Sequence, residues 1–207
     1  MNPESTTALE CVSEIRDRAR ELMTGQGAGH DWDHVQRVTV MAERLQREVG
    51  GDLGVIQLAA LLHDVGDAKF HDGVERSAEI ASDMLSELNL NAVELQHVIH
   101  IVDNLSFRKR QQAQPLSLEG QVVQDADRLD ALGAIGIIRT IEYGAVKGQP
   151  FHVSEDQQGA VKTGLQHFDD KLFHLVDLMN TESARRIAKQ RESFMRDFVQ
   201  QFHREWI

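Results

Sequence analysis

Apolar side chains recur at intervals of three and four residues along most of the chain, which is the period of an amphipathic α-helix. In residues 6–24 this spacing predicts one helix with a single apolar stripe: Leu9, Val12, Ile15, Ala19 and Leu22. A second helix is predicted over about 32–49 and a third over 53–64. The third segment is apolar on nearly every side, which predicts a helix buried at the centre of a domain.

The helical period continues to the C-terminus. Helices are predicted over about 75–88, 91–104, 116–146 with a break near the glycines at 133 and 136, 160–180 and 182–206. Asn91 followed by Glu94 has the spacing of a capping box at the start of one of them. Because no pair of strands joined by a tight turn is indicated, the predicted fold is all-α, as a single domain over residues 1–207.

Composition narrows the class of protein. The chain has 207 residues with 22 Lys and Arg against 33 Asp and Glu, a net charge of −11 that disfavours nucleic acid and anionic membranes as partners. Its one cysteine, Cys11, excludes an intramolecular disulfide and a cysteine-based zinc cluster, as is usual in a reducing cytosol. No signal peptide and no apolar run of the ~20 residues that span a bilayer is present. We therefore expect a cytoplasmic protein with no membrane and no stable nucleic-acid partner.

Ionisable residues interrupt three apolar helical stretches: His34 lies in the second helix, His63 and Asp64 end the third, and Asp125, Asp127 and Asp130 follow one another closely. Imidazoles and carboxylates are costly to bury unless they are paired or bind a metal. Two histidines with two aspartates form a donor set for Mn²⁺, Mg²⁺, Fe or Co²⁺ rather than for structural zinc. The alternative interpretations are a hydrogen-bonded core histidine and a solvated row of aspartates.

Three segments in order carry a resemblance to a known family. GHDWDHVQRV, LLHDVGDAKF and VVQDADRLDALGAIGIIRT resemble the motifs of the HD-domain metal-dependent phosphohydrolases, and in particular a branch of small single-domain bacterial hydrolases. The core motifs cover about 27–146, and the resemblance continues through the C-terminal helices at about 160–206. It implies an HD-type helical bundle with a metal site between central helices.

The resemblance also implies roles for individual residues. It makes His34, His63, Asp64 and Asp127 the ligands of one divalent cation, Mn²⁺ or Mg²⁺, with Fe, Co²⁺ or Ni²⁺ as alternatives. Asp67 occupies the position of an acidic residue that takes part in catalysis in several branches. A carboxylate one helical turn beyond the ligand pair can orient or deprotonate the attacking water.

Other candidates lie around this set. Lys69, Arg37 and the basic run that contains Arg108 and Lys109 are expected to contact substrate phosphates, and a solvated loop is the alternative for the basic run. Four further residues are candidates for supporting the site or binding a second metal: His30, His97, His100 and Asp130. His97 and His100 are three positions apart on one helix, so a second metal would involve both.

The expected function is hydrolysis of a nucleotide or related phosphate ester by a metal-activated water. Within the family branch, the resemblance favours cleavage of a nucleoside triphosphate to a monophosphate and pyrophosphate. Two alternatives stay open, a non-catalytic protein that binds a nucleotide or alarmone with metal and a binuclear HD-type oxygenase. The aromatic residues that recur every four positions in the last helix are expected to seal it against the domain or against a second copy in a homodimer.

Overall fold

Helices make up most of the part of the chain that the computed structural model describes, which comprises residues 6–25, 31–68, 71–105, 113–154 and 161–206. Their bounds are α1 Ala8–Met23, α2 Trp32–Val49, α3 Leu53–Leu62, α4 Ser77–Ser86, α5 Ala92–Asn104, α6 Leu118–Asp130, α7 Gly133–Lys147, α8 Gly164–Asp170, a 3₁₀ helix Leu172–Leu178 and α9 Glu182–Glu205. These ranges contain no strand and one isolated β-bridge, between Thr6 and Leu90. The predicted all-α class is confirmed.

The contacts divide the chain into two compact units, one that ends at Ala126 and one that begins at Asp127. In the first unit α3 is the central helix, with α1, α2 and α5 all packed against it. All of α3 is buried except Leu53 and Gln57. A run of apolar residues without polar spacing therefore became a helix covered on every side, as the sequence predicted.

Gly54 allows α1 to approach α3 closely. A Cβ atom at this position would lie 2.5 Å from the backbone nitrogen of Leu9 and 3.0 Å from two atoms of Ala8. The start of α1 is fixed from a second direction, because the Ala8 N–H donates to the carboxylate of Glu94 over 3.0 Å. Glu94 therefore holds a neighbouring helix instead of completing the capping box predicted with Asn91, whose side chain caps α5 alone.

In the second unit α9 contacts α7 and the 3₁₀ helix, and α8 contacts α7 and the 3₁₀ helix. Phe151 lies among three aromatic rings, with centroid distances of 6.0 Å to Phe168, 6.2 Å to Phe198 and 5.5 Å to Phe202. Phe168 is fully buried. Two of the four aromatic residues at helical spacing in α9 therefore pack on Phe151, while Phe194 and Trp206 are about half exposed.

One helix prediction needs correction. The segment 160–180 is not one helix, because α8 ends at Asp170 and a 3₁₀ helix begins at Leu172 after Lys171 leaves the helical region. The predicted break in the segment 116–146 is present at residues 131–132, and Gly133 has φ +76°, a value that favours glycine. None of the described helices is long and apolar enough to cross a membrane.

Candidate metal centre

His34 is fully buried in the first turn of α2. The side chain of Asp31 caps this helix by accepting the backbone N–H of His34 over 3.1 Å. A cap of this kind satisfies one of the N–H groups that a helix start leaves without a partner. It also fixes the point at which α2 begins, and therefore the direction in which His34 enters the core.

His63 and Asp64 follow α3, with His63 as the residue that ends the helix. The ring of His63 has its Nδ1 atom 2.8 Å from the carbonyl oxygen of Ala60. A carbonyl oxygen can only accept, so Nδ1 carries a hydrogen and Nε2 is the ring nitrogen left to bind a cation. A histidine oriented in this way is prepared to bind a cation through Nε2.

Three donor atoms of the first unit converge at one point. His34 Nε2 lies 3.3 Å from His63 Nε2, and Asp64 Oδ2 lies 3.4 Å from the first nitrogen and 3.5 Å from the second. Ligands at the usual 2.0–2.2 Å from a small divalent cation are separated from one another by about 3.0–3.5 Å. The donor set and its spacing therefore fit such a cation.

Asp127 is the remaining residue of the expected ligand set, and it lies at the start of the second unit. Asp127 is part of α6, a continuous helix that begins at Leu118.

Comparison with known proteins agrees with this geometry. A model of the HD domain matches residues 31–132. Protein YpgQ of Bacillus subtilis is 39% identical over 199 residues, which cover 95% of this chain and 94% of YpgQ. The chain belongs to the HD-domain family.

Solved HD-domain structures match nearly the whole chain. The crystal structure of Bacillus subtilis YpgQ in complex with ADP has a TM-score of 0.80 at 33% identity and covers 96% of each chain. An HD-superfamily hydrolase from Bacillus thuringiensis has a TM-score of 0.77 at 39% identity and covers 96% of this chain and 98% of its own. Together with the donor cluster, these similarities support a metal-dependent phosphohydrolase in general.

Asp67 is half-buried in the segment that follows the two motif residues of the HD domain. Its backbone N–H donates to the carbonyl oxygen of Asp64 over 3.1 Å. The carbonyl oxygen of the next residue, Ala68, accepts two N–H groups, from His71 at 3.4 Å and from Gly73 at 2.8 Å. Backbone hydrogen bonds on both sides therefore restrain the position of Asp67.

Substrate-contact candidates fall into two groups. Arg37 is half-buried on α2, one helical turn beyond His34. The other three substrate-contact candidates, Lys69, Arg108 and Lys109, lie outside the described residues. His30, a candidate for supporting the site, lies outside them as well.

The structure does not bring His97 and His100 into the cluster. His97 Nε2 is 2.8 Å from the hydroxyl oxygen of Ser117 and 3.6 Å from the carboxylate of Glu119. His100 Nε2 lies 3.1 Å from the carbonyl oxygen of Pro115. Both histidines thus fasten α5 to the segment around the start of α6.

The environment of Glu119 at that junction shifts the pKa of its carboxyl group. Burial raises the pKa of its carboxyl group. The N–H of Asp52, its own N–H, the Ser117 hydroxyl and His97 together outweigh that effect, and the pKa lies below its usual range. The carboxylate accepts the Asp52 N–H over 3.1 Å, which joins the start of α3 to α6.

Asp130 and Asp125 are both buried near the end of α6. Asp130 accepts a hydrogen bond of 2.8 Å from Arg139 on α7. A buried aspartate paired with an arginine on the next helix supports the corner between them. Asp130 therefore has a structural partner of its own close to the candidate ligand Asp127.

One pair of residues at this site was not a sequence candidate. Ser77 accepts the N–H of Gly66 in the turn that carries His63 and Asp64, and the Ser77 hydroxyl donates to Glu75. The sequence indicates Gly66 only as the end of a helix, and nothing in it relates Gly66 to a serine eleven residues later. The contact depends on how the loop returns, which spacing does not reveal.

Proposed function

We propose that this HD domain hydrolyses nucleotides in a reaction that depends on a divalent cation, with His34, His63, Asp64 and Asp127 as its ligands. The observation that carries the proposal is the convergence of two imidazole nitrogens and a carboxylate oxygen within 3.3–3.5 Å. When bound, a divalent cation neutralises phosphoryl oxygens and lowers the pKa of a coordinated water. Mn²⁺ and Mg²⁺ suit this mixed nitrogen and oxygen donor set.

The substrate that we propose is a nucleoside triphosphate. YpgQ of Bacillus subtilis has been crystallised with ADP, and its similarity over 96% of this chain supports a nucleotide ligand here. Water attacks the α-phosphorus, the bond from that phosphorus to the bridging oxygen breaks, and the products are a nucleoside monophosphate and pyrophosphate. Arg37, Lys69, Arg108 and Lys109 are proposed to contact the phosphates, where cations stabilise developing negative charge.

Asp67 is the proposed proton acceptor. It follows Asp64 by three residues, and the Asp64 carbonyl accepts its N–H. A carboxylate in this place takes a proton from the attacking water or holds that water in line with the phosphorus. The water must be oriented from a fixed base for general-base catalysis, and the hydrogen bonds on either side of Asp67 supply that restraint.

A product assay tests the proposal against its rivals. The purified protein is incubated with the four common nucleoside triphosphates and Mn²⁺, and monophosphate, pyrophosphate and inorganic phosphate are quantified separately. Equal amounts of monophosphate and pyrophosphate support the proposal. Binding of nucleotide with no product over hours would instead indicate a non-catalytic nucleotide sensor, and inorganic phosphate alone would mean that a different bond is cleaved.

A further inference from the structure

Gly66, in the turn directly after His63 and Asp64, is held through both of its backbone groups by a returning segment. Its N–H donates to the hydroxyl oxygen of Ser77 over 3.2 Å, and its carbonyl oxygen accepts the N–H of Arg76 over 2.9 Å. Hydrogen bonds at both groups fix the position and the orientation of the Gly66 backbone. The residues that carry the candidate ligands are thus attached to the start of α4.

The Ser77 hydroxyl is itself held in one orientation. It donates to Glu75 Oε1 over 2.6 Å, and the same oxygen accepts the Ser77 N–H over 3.1 Å. Since the hydroxyl hydrogen points at Glu75, the oxygen lone pairs are left for the N–H of Gly66. Ser77 is 2% exposed, so water does not readily replace it as the partner of that N–H group.

Gly66 has no room for a side chain. A Cβ atom there would lie 2.4 Å from the carbonyl carbon of Arg76 and 2.5 Å from the nitrogen of Ser77. These are backbone atoms that cannot turn away. The absence of a Cβ therefore permits the close approach on which both hydrogen bonds depend.

The turn also contains local backbone hydrogen bonds. The backbone nitrogen of Val65 donates to the carbonyl oxygen of Leu62 over 3.5 Å, at the long end of the accepted range. The backbone nitrogen of Asp67 donates to the carbonyl oxygen of Asp64 over 3.1 Å. The bonds from Gly66 to Ser77 and from Arg76 to Gly66 add a restraint from outside the turn, two residues from Asp64 and one residue from Asp67.

We propose that Ser77, oriented by Glu75, is a positioning residue that fixes the turn after α3 so that His63 and Asp64 hold the cation and Asp67 faces the reacting water. This inference rests on the proposed metal-dependent hydrolysis. Groups that orient metal ligands without touching the metal change metal affinity by about 10- to 100-fold when they are removed. Ser77 acts in this way through the backbone rather than through a ligand side chain.

The test is Mn²⁺ affinity measured by calorimetry on metal-free protein, with the exchange rate of the Gly66 amide measured alongside. S77A removes the hydroxyl and is expected to weaken Mn²⁺ binding about 10-fold and to speed exchange at Gly66. S86A is the matched control, since it removes a serine hydroxyl from the other end of α4, where it bonds only the carbonyl oxygen of Ser82 at the surface. We expect S86A to leave Kd within twofold of the parent.

A second pair of variants covers the case in which S77A does not fold. E75A leaves Ser77 in place but frees its hydroxyl to rotate, and it is expected to weaken Mn²⁺ binding about threefold, whereas E75Q keeps an accepting oxygen and should restore the parent Kd. Unchanged Mn²⁺ affinity in both S77A and E75A, with faster exchange at Gly66, would overturn the inference. In a destabilised S77A, unchanged affinity in E75A alone would do so.

Failure of this inference and failure of the proposed function give different results. A parent protein that binds Mn²⁺ but hydrolyses no nucleotide contradicts the proposed function, and the affinities of S77A and E75A still decide the role of Ser77. A parent protein that hydrolyses nucleotide while S77A and E75A keep both Kd and kcat contradicts the role of Ser77 alone. A parent that binds no Mn²⁺, Mg²⁺, Fe²⁺ or Co²⁺ contradicts both.

Discussion

The hydrogen bond from His63 Nδ1 to the carbonyl oxygen of Ala60 determines which ring nitrogen is available, and it leaves Nε2 facing His34 and Asp64. The sequence predicted His34, His63 and Asp64 as neighbours, because they interrupt apolar helices and match ordered family motifs. It could not predict the bond to Ala60, because a backbone acceptor has no signature in the sequence. Ser77 was missed for the same reason.

Removal of either motif residue tests the ligand set. H63A and D64A are each expected to abolish bound Mn²⁺ and nucleotide hydrolysis, since each removes one of the four proposed ligands. H174A, an exposed histidine on the 3₁₀ helix, serves as the control and should keep both. Metal content by elemental analysis and product release measure the outcome, and metal retained in H63A or D64A would remove that residue from the set.

A substitution of Asp67 distinguishes metal binding from catalysis. D67N keeps the size of the side chain and removes its basicity, so it should retain the metal and lose about 10²-fold or more in kcat, as expected for loss of a general base. Steady-state kinetics with a nucleoside triphosphate and a parallel metal analysis measure this. A D67N protein with parental kcat would show that Asp67 takes no part in proton transfer.

At the scale of elements, the spacing of apolar residues predicted the positions of the helices, but it did not predict where two segments approach each other closely. Periodicity predicted α2 over 32–49, as the structure has it, and placed α9 within one residue of its observed end. The glycines show what periodicity omits. Gly54 and Gly66 each lie against backbone atoms of another segment, and a pattern of apolar residues does not indicate which glycine has such a neighbour.

G54A tests the crossing of α1 and α3. In an exposed helix, alanine is the better residue, by about 0.5–1 kcal/mol. Here the added Cβ would meet the Leu9 nitrogen at 2.5 Å, so we expect the free energy of unfolding to fall by about 1–3 kcal/mol. G120A is the comparison, because its nearest neighbours are side-chain atoms of Leu116 and Ile101 that can move. Urea unfolding of G54A at or above the parent's stability would contradict the described packing.

At the scale of the whole molecule, the all-α class and the family membership were predictable, because helical periodicity and three ordered motifs extend along most of the chain. The sequence did not predict that the contacts cluster into two units with a boundary inside α6, since no linker or change in composition marks residue 126 or 127. The single domain predicted over residues 1–207 stays a prediction, and so does a homodimer.

The pH dependence of stability provides a further test. Burial lowers the pKa of His167, and the charge of Lys171 lowers it further. The unfolded imidazole titrates near 6.5, so below that pH the unfolded state binds more protons and the free energy of unfolding falls as pH decreases toward the folded pKa. H167Q should therefore lose less stability than the parent between pH 7.5 and pH 5, as measured by urea unfolding. Equal losses in the two proteins would contradict the burial of His167.

The central claim is that His34, His63, Asp64 and Asp127 bind one divalent cation on which hydrolysis depends. The most direct measurement is elemental analysis of gently purified protein, paired with nucleotide hydrolysis before and after chelation and after Mn²⁺ is restored. The account predicts about one metal atom per chain, loss of hydrolysis on chelation and its recovery with Mn²⁺. Two irons per chain without hydrolysis, or hydrolysis that survives complete removal of metal, would contradict it.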